Sequence, residues 1–163
     1  MHVRVFKRKR EGITDYRKRL ALVKSGLPRL VVRPSGKGIQ AQIVKFSPRG
    51  DIVVATVNER SLRKRGLQVD GNSTPVCYLV GYMLGKLALS REVEEAVLDI
   101  GRRKLTRGGR ITAVLKGAVD AGLYVPHDES ILPSEDRIKG KHLKDSKRFS
   151  GIDEMKRALE VVQ

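Results

Sequence analysis

The sequence has a single cysteine, Cys77, and it lacks any apolar run long enough to cross a membrane. One thiol cannot form an internal disulfide, so the chain suits a reducing compartment, and Cys77 is predicted to be a small core residue. The longest apolar run, Val76–Leu89, contains Lys86, whereas a membrane helix needs about 20 apolar residues. The N-terminus is basic and no apolar segment follows it, so no signal peptide is predicted. We therefore expect a soluble, cytoplasmic protein.

Acidic residues are also scarce, because 18 Asp and Glu stand against 34 Lys and Arg, which gives a net charge of +16. An excess of positive charge this large gives information about the binding partner and not about the fold, and it favours a polyanion as that partner. An anionic membrane surface is the competing partner, but the cations are spread over several segments instead of lining one amphipathic helix. At 163 residues the chain is most simply one domain with tails, large enough to bury a core.

The most concentrated charge is the N-terminal arm, Val3–Arg10, which has five cations, no acid and one aromatic, Phe6, that could stack on a base. A disordered tail that only keeps the protein soluble would look the same. Lys and Arg that neutralise phosphates release counterions, and five such contacts to single-stranded or irregular RNA predict a salt slope of roughly −3.5. A helix follows, from a cap at Thr14 or Asp15 to about Lys24.

This helix has a narrow apolar stripe, Tyr16, Leu20 and Val23, beside several basic residues. Such a helix can dock on its own domain and present charge outward, although an ordinary surface helix has the same pattern. It follows the arm without a linker. The two are therefore interpreted as one basic unit, residues 1–26.

Three short strands joined by turns come next, and they predict an antiparallel meander over Arg29–Arg33, Ile39–Phe46 and Asp51–Val57. Leu30 and Val32 would face the core. The opposite face of the first two strands is polar, which suits water or RNA, and solvent is the commoner answer for such a face. The candidate residues here are Arg29, Arg33, Gln40 and Gln42, with Lys37 in the connecting turn.

The second half begins with a helix that is apolar on all sides, Val76–Leu89, and is therefore predicted to be buried. Thr74 followed by Pro75 is a strong helix start, with Thr74 as the N-cap. Gly81 and Gly85, four residues apart, would let another backbone approach closely.

Ala96–Gly101 is a short apolar run typical of a central strand, and Ile111–Val119 keeps helical spacing before a last strand, Leu123–Val125. Right-handed crossovers would place both strands parallel to the first. The predicted fold is α/β, a mixed five-stranded sheet in the order β-β-β-α-β-α-β of ribonuclease H-like proteins, over residues 27–126. A basic loop without acids, Arg102–Gly109, precedes the second helix.

Residues 127–163 are predicted to be an irregular C-terminal extension that ends in a short helix, Ile152–Val162, packed on the domain or on a partner. His127, Asp128 and Glu129 could suggest a metal cluster. A surface loop is favoured, because histidine ligands are usually drawn from rigid elements and no second His lies at helical spacing.

The residues needed for catalysis are missing from the expected places. Nucleases of the ribonuclease H-like fold hold two Mg²⁺ ions with carboxylates on the first strand, the fourth strand and a later helix. Here the first strand has no acid, and Asp99 stands alone on the fourth, where it more simply caps a turn or accepts hydrogen bonds from the adjacent loop. No catalytic triad or nucleotide-binding glycine motif occurs. The sequence predicts a binder without cofactor or metal, and not an enzyme.

Several segments in one order resemble a known family. They are the stretch from Thr14 to Arg33, the run Ala96-Val-Leu-Asp-Ile-Gly101, the run Gly117-Ala-Val-Asp-Ala-Gly-Leu123 with Pro126-His127, and the stretch Ile131–His142. The resemblance is to the L-eighteen family of large-subunit ribosomal proteins, in its archaeal and eukaryotic form.

The resemblance implies a structural protein that binds 5S rRNA and attaches it to the 23S-type rRNA in the central protuberance. It also implies a ribonuclease H-like fold without catalysis, and neighbouring ribosomal proteins as partners, including the L-five family protein. The family contacts, carried onto this chain, fall on Arg4, Lys7–Arg10 and Tyr16–Arg19. The strand face and the basic loop are added from charge alone. A metal-dependent nuclease and a general RNA chaperone remain the alternatives.

The complete set of predicted RNA-binding residues combines the arm, the helix, the strand face and the loop: Arg4, Phe6, Lys7, Arg8, Lys9, Arg10, Tyr16, Arg17, Lys18, Arg19, Arg29, Arg33, Lys37, Gln40, Gln42, Arg102, Arg103, Lys104, Arg107 and Arg110.

Overall fold

A computed structural model describes residues 5–69, 71–143, 149 and 151–160, and within them a four-stranded sheet forms in the order β3-β2-β1-β4. The three N-terminal strands pair antiparallel, which confirms the predicted meander, and β4 lies parallel to β1. The strands are β1 (Arg29–Pro34), β2 (Ile39–Lys45), β3 (Ile52–Asn58) and β4 (Val97–Asp99).

Helices precede the sheet, cover one of its faces and follow it. Within the described residues, none is long and apolar enough to cross a membrane. They are α1 (Lys7–Arg10), α2 (Tyr16–Lys24), α3 (Glu59–Lys64), α4 (Thr74–Leu89), α5 (Arg110–Asp120), a 3-10 turn (Glu129–Ile131), α6 (Glu135–Ile138) and α7 (Ile152–Glu160). The start of α4 differs by one residue from the prediction, because Ser73 is the N-cap and Pro75 is the second helical residue.

The predicted fifth strand, Leu123–Val125, is wrong, since it is reduced to a single parallel bridge between Tyr124 and Glu95. Tyr124 donates to the carbonyl of Glu94 at 2.8 Å, and its own carbonyl accepts from Ala96 at 2.9 Å. The next bond of a parallel ladder would need an N–H at Pro126, which proline lacks. The ladder therefore ends there, and β4 is a short edge strand instead of the predicted central one.

Helices α4 and α5 pack closely because glycines lie at their crossing, as predicted for Gly81 and Gly85. A Cβ at Gly81 would overlap the carbonyl of Val114, and one at Gly117 would overlap the backbone of Tyr78. Glycine at such positions lets two helix backbones approach more closely than any side chain allows. The prediction of a helix buried on all sides is confirmed, since α4 contacts β2, β3, α3, α5, α6 and α7.

The described part of the C-terminal extension completes the same hydrophobic core. Ile138, Phe149, Ile152 and Leu159 are all buried. The Lys156 ammonium lies 4.8 Å above the ring of a tyrosine in α4. Of the two alternatives left open by the sequence, α7 packs on its own domain. Residues 161 and 162 of the predicted helix lie outside the described residues.

Candidate nucleic-acid interface

The N-terminal arm folds back on the helix that follows it. Residues Lys7–Arg10 form one helical turn, and the rings of Phe6 and Tyr16 lie 5.7 Å apart at 37°. Arg8 Nε donates to the hydroxyl of Thr14 at 3.1 Å. Phe6 remains 72% exposed, so one of its faces is open to a stacking base. Arg4, which was also predicted to bind RNA, lies outside the described residues.

Helix α2 begins at the second of the two predicted caps. The Asp15 carboxylate accepts from the amides of Arg17 and Lys18 at 3.0 and 3.2 Å, which satisfies two otherwise free donors. Both basic side chains are exposed, and within the described residues neither has an acidic partner. Of the two alternatives left open by the sequence, α2 is an ordinary surface helix, because none of its residues is buried and Leu20 is 56% exposed.

The basic loop 102–109 contacts the segment between the arm and α2. The Arg102 guanidinium donates to the carbonyl of Gly12, and Arg103, Lys104 and Arg107 beside it are exposed. At the far end of the loop, the Gly108 amide donates to the carbonyl of Ile131 at 2.9 Å. Arg110 is exposed at the start of α5.

The contact of Arg102 with Gly12 joins the loop to the segment between the arm and α2, and we treat the exposed cations of the arm, the start of α2 and the loop as one surface. We call it the basic surface. Its members are Lys7, Arg8, Lys9, Arg10, Arg17, Lys18, Arg102, Arg103, Lys104 and Arg107.

Three predicted RNA-binding arginines belong instead to an ion network across the sheet. Arg29 is only 4% exposed, and it donates to Asp99 at 2.9 Å and to Asp51 at 2.5 Å. Arg33 also donates to Asp99 at 2.9 Å, and Arg19 reaches Asp51 at 2.8 Å. The assignment of Arg29 as a surface contact is wrong, because the side chains of neighbouring elements cover this end of β1. Arg19 and Arg33 are partly exposed, but their guanidinium groups donate hydrogen bonds to carboxylates.

Asp99 accepts a donor on each of its carboxylate oxygens. Burial alone would raise its pKa, but hydrogen bonds from Arg33, Gly101 and Arg29, with the charge of Arg33, hold the pKa below its ordinary value. The amide of Gly101, in the adjacent loop, donates at 2.9 Å, which confirms the predicted role of accepting hydrogen bonds from that loop. A carboxylate whose oxygens already accept from two guanidinium groups is poorly suited to bind Mg²⁺.

The remaining predicted residues lie elsewhere. Lys37 and Gln40 are exposed, and Gln42 Nε2 donates to Thr56 at 3.0 Å on the same sheet face. No hydrogen bond or ion pair within the described residues connects these three with the basic surface, so RNA contact by this face stays a prediction.

The loop after Pro126 has ordinary surface geometry. His127 Nδ1 lies 2.7 Å from the carbonyl of Val125, and the Asp128 carboxylate accepts from the Ser130 amide at 2.8 Å. The hydrogen bond from the Ser130 amide lowers the pKa of the Asp128 carboxyl group. Among the residues that the structure describes, no group of three His, Cys, Asp or Glu is placed to hold a metal ion.

Comparison with known proteins gives a consistent result. The family described as "Ribosomal large subunit proteins 60S L5, and 50S L18" matches residues 2–95 and 90–128. The large ribosomal subunit protein uL18 of Thermoplasma acidophilum is 52% identical over 148 residues, which are 91% of each chain. The protein of that name from Caldivirga maquilingensis is 52% identical over 139 residues, 85% of this chain and 67% of that one. The protein of that name from Methanothermobacter thermautotrophicus is 49% identical over 138 residues, which are 85% of this chain and 72% of that one.

These relatives are structural proteins of the ribosome and not enzymes, and the matches extend over the arm, the sheet and the basic loop. The chain belongs to this family of large-subunit ribosomal proteins.

Proposed function

We propose that this component of the large ribosomal subunit binds 5S rRNA and attaches it to the 23S-type rRNA in the central protuberance. The observation that carries the proposal is the basic surface, where the Arg102 guanidinium donates to the Gly12 carbonyl and so joins the loop to the segment between the arm and α2. Phosphate contacts position a protein without specifying sequence. A basic surface built from two parts of the chain, with an exposed aromatic, is instead suited to read the shape of a folded RNA.

The proposal divides the chain by role. Residues 1–26 are the RNA-binding unit, residues 27–126 the α/β scaffold, and residues 127–163 the extension that covers α4. The ion pair between Arg19 and Asp51, at 2.8 Å, fixes the RNA-binding unit to the scaffold. The L-five family protein is a proposed neighbour on the same RNA. We also propose that the scaffold is ribonuclease H-like and without catalysis.

A binding assay with matched variants tests the proposal. The full chain is titrated against labelled 5S rRNA at several salt concentrations. One variant carries Lys9→Gln, Arg10→Gln, Arg17→Gln and Lys18→Gln, four exposed cations of the basic surface. The control removes four exposed cations elsewhere: Arg49→Gln, Arg60→Gln, Lys64→Gln and Arg91→Gln. Both variants lose the same charge.

If all four cations contact phosphates, the slope of log K against log salt should become shallower by about 2.8 in the first variant. The control should keep the slope of the unmodified chain. Equal losses in both variants would mean that only total charge matters, and the proposed surface would be wrong. Equal affinity of the unmodified chain for tRNA, duplex DNA and 5S rRNA would favour the general chaperone. Cleavage that depends on Mg²⁺ and is lost in Asp99→Ala would favour the nuclease.

A further inference from the structure

One concave region of this basic protein carries the opposite charge. A groove of about 510 Å³ lies between the end of α2, the end of β2 and the segment that leads into β4. Its rim carries three carboxylates against one ammonium, that of Lys45. We call it the acidic groove. It is lined by Val23, Gly26, Leu27, Pro28, Lys45, Phe46, Glu92, Val93, Glu94 and Glu95.

The three carboxylates are exposed and available. Glu92, Glu94 and Glu95 are solvent-exposed, and within the described residues no Lys, Arg or hydrogen-bond donor pairs with their side chains. The chain as a whole has a net charge of +16, so most exposed acids could find a cation nearby. A local excess of negative charge would repel phosphates, which makes RNA a poor occupant of this groove.

Apolar residues form part of the groove lining, and backbone hydrogen bonds hold the segments that carry them. The Val97 amide donates to the carbonyl of Pro28 at 2.8 Å, and the Tyr124 amide donates to that of Glu94 at 2.8 Å. Phe46 is 53% exposed at the lip. The groove therefore exists before any partner binds, and it offers apolar side chains next to three acids on one segment. That combination suits an extended peptide with basic side chains for the acids and an apolar one for Phe46 and its neighbours.

We propose that the acidic groove binds a cationic, partly apolar segment of a neighbouring protein of the large subunit. The inference rests on membership of the subunit and not on contact with 5S rRNA, so the two can fail separately. The charge of the groove complements basic protein segments, while the charge of the basic surface complements RNA. The two surfaces would let one small protein hold RNA and protein at the same time.

Photocrosslinking within assembled subunits tests this assignment. Phe46 is replaced by p-benzoylphenylalanine in the full chain, the tagged chain is incorporated into large subunits in cells, and the purified particles are irradiated. The crosslinked product is digested and sequenced. We expect a protein segment rich in Lys and Arg. A crosslink to rRNA, to a second copy of this chain, to a segment without excess positive charge, or to nothing would overturn the proposal.

A pair of matched variants, one test and one control, makes the result specific. Glu92→Gln, Glu94→Gln and Glu95→Gln together should lower the crosslinking yield at position 46 at least fivefold. Glu129→Gln, Glu135→Gln and Glu154→Gln, three exposed acids elsewhere, should leave it unchanged. An unchanged yield in the first variant would refute the role of the acids. The same photoreactive group at Phe6 reports on the basic surface, where a crosslink to protein in place of RNA would count against the proposed function alone.

Discussion

Replacing Asp99 by asparagine tests whether the buried ion network stabilises the sheet. The change keeps the shape of the side chain but removes its charge, so Arg29, at 4% exposure, is left with Asp51 as its acidic partner. Removing one member of a buried ion pair costs about 3–5 kcal/mol of unfolding free energy. Because Arg29 keeps one carboxylate and the partly exposed Arg33 can turn to water, we expect the lower end, about 3 kcal/mol.

That loss should be plain in a thermal melt. For a chain of this length each kcal/mol moves Tm by about 2–4 °C, so Asp99→Asn should melt about 6–12 °C lower at pH 7. Circular dichroism measures the change. The double variant Arg29→Met with Asp99→Asn should recover part of it, because no buried cation then lacks its partner. A drop of less than about 2 °C in Asp99→Asn, or a further loss in the double variant, would refute the reasoning.

The same network predicts a pH dependence with a definite sign. The pKa of Asp99 is lower in the folded chain than the ordinary value of 3.8. Its contribution is therefore fully present above 3.8, and it is lost as the pH falls through the folded pKa, where the carboxylate is protonated even in the native state. Asp99→Asn lacks this contribution of the carboxylate at every pH. The difference in unfolding free energy between the unmodified chain and Asp99→Asn should therefore narrow in acid. A constant difference down to pH 2 would contradict the assignment.

Two further predictions concern the core. Gly81→Ala should lower the unfolding free energy by about 3 kcal/mol, because the new methyl group meets backbone of α5 that cannot turn aside, whereas Gly36→Ala, in open space, should change urea unfolding little. Burial raises the pKa of Cys77 to about 12, so an aromatic disulfide reagent should modify this thiol only after unfolding. Rapid modification of the native chain at pH 8 would show that α4 opens far more readily than its packing implies.

Much of the architecture follows from local patterns in the sequence. Alternating residues and tight turns predicted the meander, and the spacing of Gly81 and Gly85 predicted the close helix crossing. Both patterns can be read from residues that are close together in the sequence. The basic surface was also partly predictable, since charge density identifies the arm and the loop separately. The contact of Arg102 with Gly12 joins segments 90 residues apart, and no local pattern could indicate it.

One error came from partners that are distant in sequence, and another from a proline next to a predicted strand. Arg29 alternates with apolar residues as a surface residue would, and it is buried because Asp51 and Asp99 approach it from two other elements. The fifth strand has a suitable apolar run in Leu123–Val125, yet the missing N–H of Pro126 ends its pairing. Asp51 was not predicted to join this ion network, because a lone acid after a turn resembles an ordinary turn residue. An opposite charge directly before a strand, in a chain so rich in cations, was the available signal.

The position of α7 against α4 has a consequence during synthesis. The buried residues Ile152 and Leu159 are synthesised well after α4, which ends at Leu89. At about 5–20 residues per second, the intervening stretch of roughly 70 residues takes about 4–14 s to synthesise. Throughout that interval the side of α4 that packs against α7 lacks this partner. The nascent protein therefore spends seconds with that apolar side open to chaperones and to aggregation, until α7 is made.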